Sequence, residues 1–218
     1  MNNATGPGKI TAILLSWRRV HNLPRIIEEL ALSPRIAEIM LWNNNPEVRL
    51  DFPGVTVINS PRNFLCFARY SLVPLAAHDT IWFQDDDLLI RSGQLDMVYA
   101  AYAADPGRIY GIKGRNIVNG LYSADDVYEE CDIVLGQAML FHRRLLQHAF
   151  APLGSLPPEV AEDDIIFSLA AGRRPFAVNV SPIEDLGADD DAALWRKPGH
   201  FARRQRAVEL MLAWRNRG

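Results

Sequence analysis

Short apolar runs, each too brief for a helix, alternate with segments of helical spacing, and the fourth such run stops at three consecutive aspartates. Ile10–Ser16, rich in β-branched residues and leucine, predicts a buried strand. In Leu23–Leu32 the residues Leu23, Ile26, Ile27 and Leu30 share one face, and Pro24 sits where a first turn tolerates it, which predicts a helix. Ile36–Trp42 is the second predicted strand, ended by the turn signal Asn43-Asn44-Asn45-Pro46. Val55–Ile58 predicts a third strand, Phe64–Leu75 a helix, Thr80–Gln84 the fourth strand, Leu95–Ala104 a helix and Ile109–Ile112 another strand. This rhythm argues for an α/β fold with an open, mixed but mostly parallel sheet flanked by helices.

The second half is less regular. Asn119-Gly120 is a hairpin signal, Ile133–Phe141 predicts a strand, Arg143–Phe150 a helix and Pro152–Pro158 a loop. Ala161–Ala171 reads as helical, Phe176–Val180 as a strand, Pro182–Asp191 as an acidic loop and Phe201–Arg215 as a closing helix. Nothing between them reads as a linker. With 49% apolar and 22% charged residues, a chain of 218 residues buries a core without disulfides or structural metal, so disorder is excluded. One domain is expected over residues 1–218: a nucleotide-binding half over about 9–115, then an acceptor-binding half with the closing helix over about 116–218.

A net charge of −3 gives no global basic field, which argues against a nucleic-acid partner. The basic residues gather in Trp195–Gly218, where seven face one acid, Glu209. That helix could touch an anionic membrane peripherally, although basic residues near a helix C-terminus also complement its dipole. Cys66 and Cys131 lack the spacing of a disulfide framework or zinc site and read as ordinary thiols in a reducing compartment. No run reaches the roughly 18–20 apolar residues of a membrane span. Met1–Gly8 has no basic region feeding an apolar one, so the expected location is cytoplasmic.

Asp85, Asp86 and Asp87 directly follow Thr80-Ile81-Trp82-Phe83-Gln84. Ligands of open α/β sheets bind at the carboxyl ends of strands, which places these acids at a site. Three adjacent carboxylates repel one another, and a divalent ion with oxygen ligands is the natural compensation. Strand alternation would point Asp85 and Asp87 one way and Asp86 the other, one acid toward a ribose and another toward its metal. A solvated turn capping the next helix is the plainer alternative, and it suits Asp189-Asp190-Asp191 better because no apolar strand precedes that run. Glu162-Asp163-Asp164 opens a helix, where acids are favoured electrostatically. The functional alternative is that one of them faces the reacting sugar carbon or orients an acceptor hydroxyl. His200 could complete a metal shell, and the arginines after it suit a diphosphate.

Taken in order, these motifs resemble the GT-A fold of nucleotide-sugar glycosyltransferases, most nearly the exostosin-like N-acetylhexosaminyltransferases of glycosyltransferase family 64. The strand and acids Ile81-Trp82-Phe83-Gln84-Asp85-Asp86-Asp87 are similar to that family's strand-plus-D-D-D, and Asp163-Asp164-Ile165 to its aspartate pair. His200-Phe201-Ala202-Arg203-Arg204 resembles its His-Phe-x-x-Arg, Ser16-Trp17-Arg18-Arg19 its S-x-x-R opening, and Trp42-Asn43-Asn44 its W-N-N strand end. The resemblance implies transfer of a sugar, an N-acetylhexosamine, from a UDP-sugar to an unknown sugar, lipid-linked or protein acceptor, with Mn²⁺ or Mg²⁺ and with retention. It implies that Ser16 and Arg18 line a uracil-ribose pocket, with Asn44, Asn63 and Arg69 also contacting uridine or phosphate. It places Asp87 on the metal, Asp85 and Asp86 near ribose and donor sugar, Asp164 on the catalytic face with Asp163 beside it, Arg204 on the β-phosphate, and His200 on metal or diphosphate. Animal members pair two cysteines where this chain has Glu162 and Ala207, so that bridge is absent.

The same residues also admit other chemistries. A haloacid-dehalogenase-type phosphatase also carries D-x-D after a strand, but after its first strand. A sugar nucleotidyltransferase needs a glycine-rich loop after the first strand, whereas Gly6-Pro7-Gly8-Lys9 precedes it. A non-catalytic sugar-nucleotide-binding module would bind without turnover.

Overall fold

The computed structural model describes residues 8–187 and 194–217. β1 (Ile10–Ser16) leads into α1 (Leu23–Leu32), which has Pro24 in its first turn and buries Leu23, Ile26 and Leu30. β2 (Ile36–Asn43), β3 (Val55–Asn59), a 3-10 helix over Cys66–Leu75, β4 (Thr80–Asp85), β5 (Leu88–Leu89) and α2 (Ser92–Ala104) follow. Shorter pieces come next: β6 (Tyr110–Gly111), β7 (Gly114–Arg115), β8 (Ile117–Val118), β9 (Leu121–Tyr122), β10 (Ile133–Val134) and β11 (Ala138–His142). The chain closes with α3 (Leu146–Phe150), α4 (Asp163–Ala170), β12 (Phe176–Ala177), β13 (Glu184–Asp185) and α5 (His200–Arg215).

The main sheet has seven strands in the order β12-β6-β11-β4-β1-β2-β3. All neighbours are parallel except β11, which runs antiparallel to both β4 and β6. The carboxyl ends of β4, β1 and β2 therefore meet at one edge, with Leu15 opposite Asp85 and Ser16 opposite Asn43. Because β11 is reversed, its entry rather than its exit reaches that edge, and Asp85 N–H donates to the Gln137 carbonyl at 2.9 Å. That is the crevice at which open α/β sheets bind ligands.

Alternation along β4 sends Trp82 to one face, with Leu14, Leu140, α1 and α2, and Phe83 to the other, with Tyr70, Phe141 and Phe167. Those four rings meet edge to face, Tyr70 and Phe83 at 4.9 Å and Phe141 and Phe167 at 4.9 Å. α4 is buried along its whole length, packed between α3, α5 and β10. The edge of the sheet that carries the acids is thus held on rigid elements from both halves.

Several elements differ from their sequence expectation. The helix expected over Phe64–Leu75 is a 3-10 helix over Cys66–Leu75 with Pro74 in its last turn, and it starts at Cys66 because Leu65 leaves helical space at φ 60°, ψ −160°. Ile133–Phe141 divides into β10 and β11, which lie in different sheets. The break falls at Gly136, where an added Cβ would come within 2.7 Å of Arg69 Nη2. Arg143–Phe150 opens as a 3-10 turn, the Pro152–Pro158 loop contains another, and Ile109–Ile112 and Phe176–Val180 shrink to two-residue pairings. Asn119 and Gly120 take φ 52° and 80°, the two positive values a two-residue hairpin between β8 and β9 requires. Within the acidic loop Glu184–Asp185 pairs with β5, while Asp189-Asp190-Asp191 lies outside the described residues. Cys66 and Cys131 are both free thiols. Among the described residues no helix is long and apolar enough to cross a membrane.

Candidate active site

The triple aspartate does not alternate as an extended strand would. β4 ends at Asp85, and Asp86 and Asp87 form a turn into β5, so the chain direction changes between the first acid and the other two. Asp86 is buried and faces β1: its Oδ2 accepts from Ser16 Oγ at 2.8 Å and from Trp17 N–H at 3.2 Å. Arg19 Nη1 lies 3.3 Å from Asp86 Oδ1 and 3.3 Å from Asp87 Oδ2, bridging both carboxylates. Asn22 Nδ2 donates to the carbonyls of Asp86 and Leu186, each at 2.8 Å, and fixes the turn from below. Asp87 Oδ1 is buried without a hydrogen-bond partner. Burial pushes the Asp87 carboxyl up to about 6, against the pull of Arg19 and helped by the neighbouring Asp86 and Asp185 charges.

Asp85 turns the other way, toward Arg69. That guanidinium is 1% exposed and reaches Asp85 Oδ1 at 2.9 Å, Asp163 Oδ2 at 2.8 Å and the Gly136 carbonyl at 2.9 Å. One arginine from the 3-10 helix therefore ties the end of β4 to the start of α4. Burial pushes the Asp163 carboxyl above its ordinary range, and Arg69 offsets only part of this. Asp164, one position on, meets Arg204 from α5 through both carboxylate oxygens, at 2.8 and 3.2 Å. It also accepts from Gly136 N–H at 3.2 Å and Ile165 N–H at 2.9 Å. Burial alone would raise its carboxyl, but Arg204 and these donors outweigh it and hold Asp164 below the usual range. The Arg204 guanidinium lies over the Tyr122 ring at 4.7 Å, and its Nε is buried without a hydrogen-bond partner.

Asn44 and Asn63 shape the rim. Asn44 Oδ1 accepts from Phe64 N–H at 3.0 Å and from Trp42 Nε1 at 3.0 Å, and its Nδ2 donates to the Leu65 carbonyl at 3.0 Å. Asn63 Oδ1 accepts from Leu65 N–H at 2.7 Å. These bonds hold Leu65 at φ 60°, ψ −160°, a region that normally belongs to glycine.

Two clusters thus meet at the sheet edge, Ser16, Arg19, Asp86 and Asp87 on one side and Asp85, Arg69, Asp163, Asp164 and Arg204 on the other, joined through the Asp85–Asp86 backbone. Arg18 is part of neither: it is exposed, with its guanidinium 4.2 Å above the Trp17 ring, while Arg19 is the residue that reaches the acids. His200 stands in the first turn of α5 with its ring 5.4 Å from that of Phe201. Among the described residues no three His, Cys, Asp or Glu side chains converge as a ready-made metal cage. Sequence reasoning missed Arg19, Asn22 and Gly136. Arg19 carried a signal, since it is the fourth residue of the Ser16-Trp17-Arg18-Arg19 motif. Gly136 carried none, because its requirement comes from a side chain 67 residues away.

With every group charged, five carboxylates (Asp85, Asp86, Asp87, Asp163 and Asp164) face three guanidiniums (Arg19, Arg69 and Arg204), a surplus of two negative charges. An all-oxygen donor set with that surplus and one orphaned carboxylate oxygen fits a hard divalent cation, which binds through one or two carboxylates and completes its shell with water or phosphate.

A reversed strand beside a parallel block, with acids leaving the fourth strand, defines the GT-A class of nucleotide-diphospho-sugar transferases. More narrowly, the chain belongs to glycosyltransferase family 64: the glycosyl transferase family 64 domain matches residues 10–216. Exostosin-2 of Mus musculus and of Homo sapiens are each 25% identical over 146 residues, 61% of this chain and 20% of theirs. The chain therefore spans about a fifth of the length of the curated relatives it matches. Among solved structures, the mannosyltransferase PcManGT from Pyrobaculum calidifontis in complex with GDP-Man and Mn²⁺ superposes with a TM-score of 0.64 at 15% identity, over 99% of this chain and 67% of that one. S. aureus TarS 1–349 superposes with a TM-score of 0.57 at 14% identity, over 94% and 70%. These two share the fold. Family membership removes the phosphatase and nucleotidyltransferase alternatives.

Proposed function

We propose that this domain transfers an N-acetylhexosamine from a UDP-sugar to an acceptor hydroxyl with retention, using Mn²⁺ or Mg²⁺. The observation that carries the metal-dependent donor site is Asp87, a buried carboxylate with an orphaned oxygen that shares the single guanidinium of Arg19 with Asp86. The UDP and N-acetylhexosamine assignments rest on likeness to family 64; the GDP-Man and Mn²⁺ complex of the P. calidifontis enzyme supports a nucleotide sugar and a divalent ion in this fold.

In this reading Asp87 holds the cation, with His200 as a further donor. A divalent ion bound there would neutralise charge developing on the diphosphate. Ser16, Trp17 and Arg19 lock Asp86 at the ribose side, and Arg69 fixes Asp85 beneath the donor sugar while anchoring α4. Asn44 and Asn63 contact the uridine or a phosphate, and Arg18 lines the uracil-ribose pocket with Ser16. Asp164, kept ionised, faces the cationic sugar carbon of the transition state, and Arg204 beside it donates to the departing β-phosphate. Such preorganised charges need no reorganisation as the transition state forms.

Release of UDP from UDP-N-acetylglucosamine and UDP-N-acetylgalactosamine, with GDP-mannose as comparison, tests this directly. The expected result is UDP release that needs Mn²⁺ or Mg²⁺, is abolished by EDTA and falls about 100-fold or more in Asp164→Asn. Binding without turnover for every donor would leave a sugar-nucleotide-binding module instead.

A further inference from the structure

Beside the acidic network lies a cavity of about 330 Å³ lined by residues that include Phe64, Leu65, Phe67, Leu156, Pro158 and Val160. Among the described residues, none of those lining it carries a charge or a polar side chain. Its volume falls at the small end of the roughly 300–1,000 Å³ typical of ligand pockets. Phe64 and Leu65 remain 39% and 49% exposed at its edge; Leu65 N–H donates to Asn63 Oδ1, the Leu65 carbonyl accepts from Asn44 Nδ2, and Phe64 N–H donates to Asn44 Oδ1.

Both walls run straight into the site. Phe64–Phe67 continues to Arg69, which grips Asp85 and Asp163. Val160 and Ala161 lead through Glu162 to Asp163 and Asp164 at the start of α4. A ribose, a phosphate or a free sugar finds no side-chain hydrogen-bonding partner in the cavity, and leaving its polar groups unpaired there would be costly. A hydrocarbon group loses nothing by entering. The lining residues Phe67 and Ala161 each lie two residues along the chain from a member of the site, Arg69 and Asp163.

We propose that this cavity is the subsite for the hydrocarbon chain of a lipid-linked acceptor whose sugar hydroxyl lies at Asp164. The proposal rests on the glycosyltransferase reading for the role of the attached sugar, but the subsite itself is defined by the cavity. Each methylene buried adds about fourfold in affinity until the cavity is full. Chain length, more than sugar identity, then sets how tightly an acceptor is held.

The test uses N-phenyl-1-naphthylamine fluorescence on the whole chain with UDP and Mn²⁺ present, displaced by octyl β-D-glucoside below its micelle concentration or by methyl β-D-glucoside. The octyl glycoside is expected to displace the probe at a concentration at least tenfold lower than the methyl glycoside. Leu156→Gln and the cavity-filling Leu156→Trp are each expected to weaken probe and octyl glycoside binding at least tenfold while leaving UDP affinity within twofold. Retained UDP binding shows that the variants are folded. Equal displacement by both glycosides, or probe binding unchanged in both variants, overturns the proposal. Tighter displacement by N-acetyl-Leu-Leu-amide than by octyl glucoside overturns the lipid assignment. Octyl glycoside binding in a protein that binds no nucleotide would leave the subsite standing and remove the donor reading, so the two fail separately.

Discussion

Arg204 and Asp164 form a two-point ion pair, 2.8 and 3.2 Å from nitrogen to oxygen, with each side chain less than a tenth exposed. Their contact joins α5 to α4 across 40 residues of sequence. It makes the closing helix part of the site instead of a lid over it. Removing one partner leaves a buried charge alone, which costs about 3–5 kcal/mol. Arg204→Met is therefore expected to lower unfolding free energy by that amount, and Arg204→Met with Asp164→Asn to fall short of the sum of the single changes by at least about 1.5 kcal/mol. Urea denaturation of the four proteins measures this; strictly additive losses would contradict a coupled pair.

Arg69 serves two acids at once, so its loss should depend on pH. In Arg69→Met, Asp163 keeps its burial and loses its cation, and its folded-state carboxyl rises further above the 3.8 of an exposed aspartate. A carboxyl whose folded value is raised costs stability as pH climbs through the interval between the two values. The deficit is expected to be about 3–5 kcal/mol at pH 7.5 and clearly smaller at pH 5. Denaturation at the two pH values decides it, and a deficit independent of pH would count against this account.

Asp87 follows the same sign. Its folded value of about 6 exceeds the ordinary 3.8, so the ionised group destabilises the metal-free protein progressively as pH rises from about 4 past 6. Asp87→Asn removes that cost and should raise the Tm of the EDTA-treated protein at pH 7.5, a gain of about 1–3 kcal/mol. At pH 4 the two proteins should melt together. A lower Tm for the variant at pH 7.5 would show that Asp87 serves the fold rather than a cation.

Leu65 stores strain at the rim. Its backbone, at φ 60° and ψ −160°, occupies a region worth about 1–3 kcal/mol against any residue with a Cβ. Leu65→Gly gives part of that back as unfolded-state entropy and should still stabilise by about 1 kcal/mol, whereas Leu65→Ala should not. Thermal melts of the two variants separate strain from the loss of a half-exposed side chain.

The sheet and its first four strands were legible because each is a continuous apolar run with a clear turn after it, as at Asn43-Asn44-Asn45-Pro46. The resemblance to family 64 was legible for a different reason: its motifs sit at strand ends and helix starts, where local sequence and site coincide. What could not be read was set by distant partners. Gly136 is needed because Arg69 crosses over it, and at that point the one predicted strand divides into β10 and β11. Asp86 and Asp87 looked like continuing strand positions, but the chain turns after Asp85, which puts both beside Arg19. Arg18 and Arg19 are adjacent and chemically alike, and only the way the chain leaves β1 decides which one is buried.

The most direct test of the account is calorimetric titration of UDP into the wild-type domain with Mn²⁺, with EDTA, and into Asp87→Asn with Mn²⁺, using GDP and CDP as comparisons. The account predicts UDP binding that needs the metal and is weakened tenfold or more in Asp87→Asn. UDP binding of equal strength with EDTA, or no binding of any nucleotide with Mn²⁺ present, would contradict it.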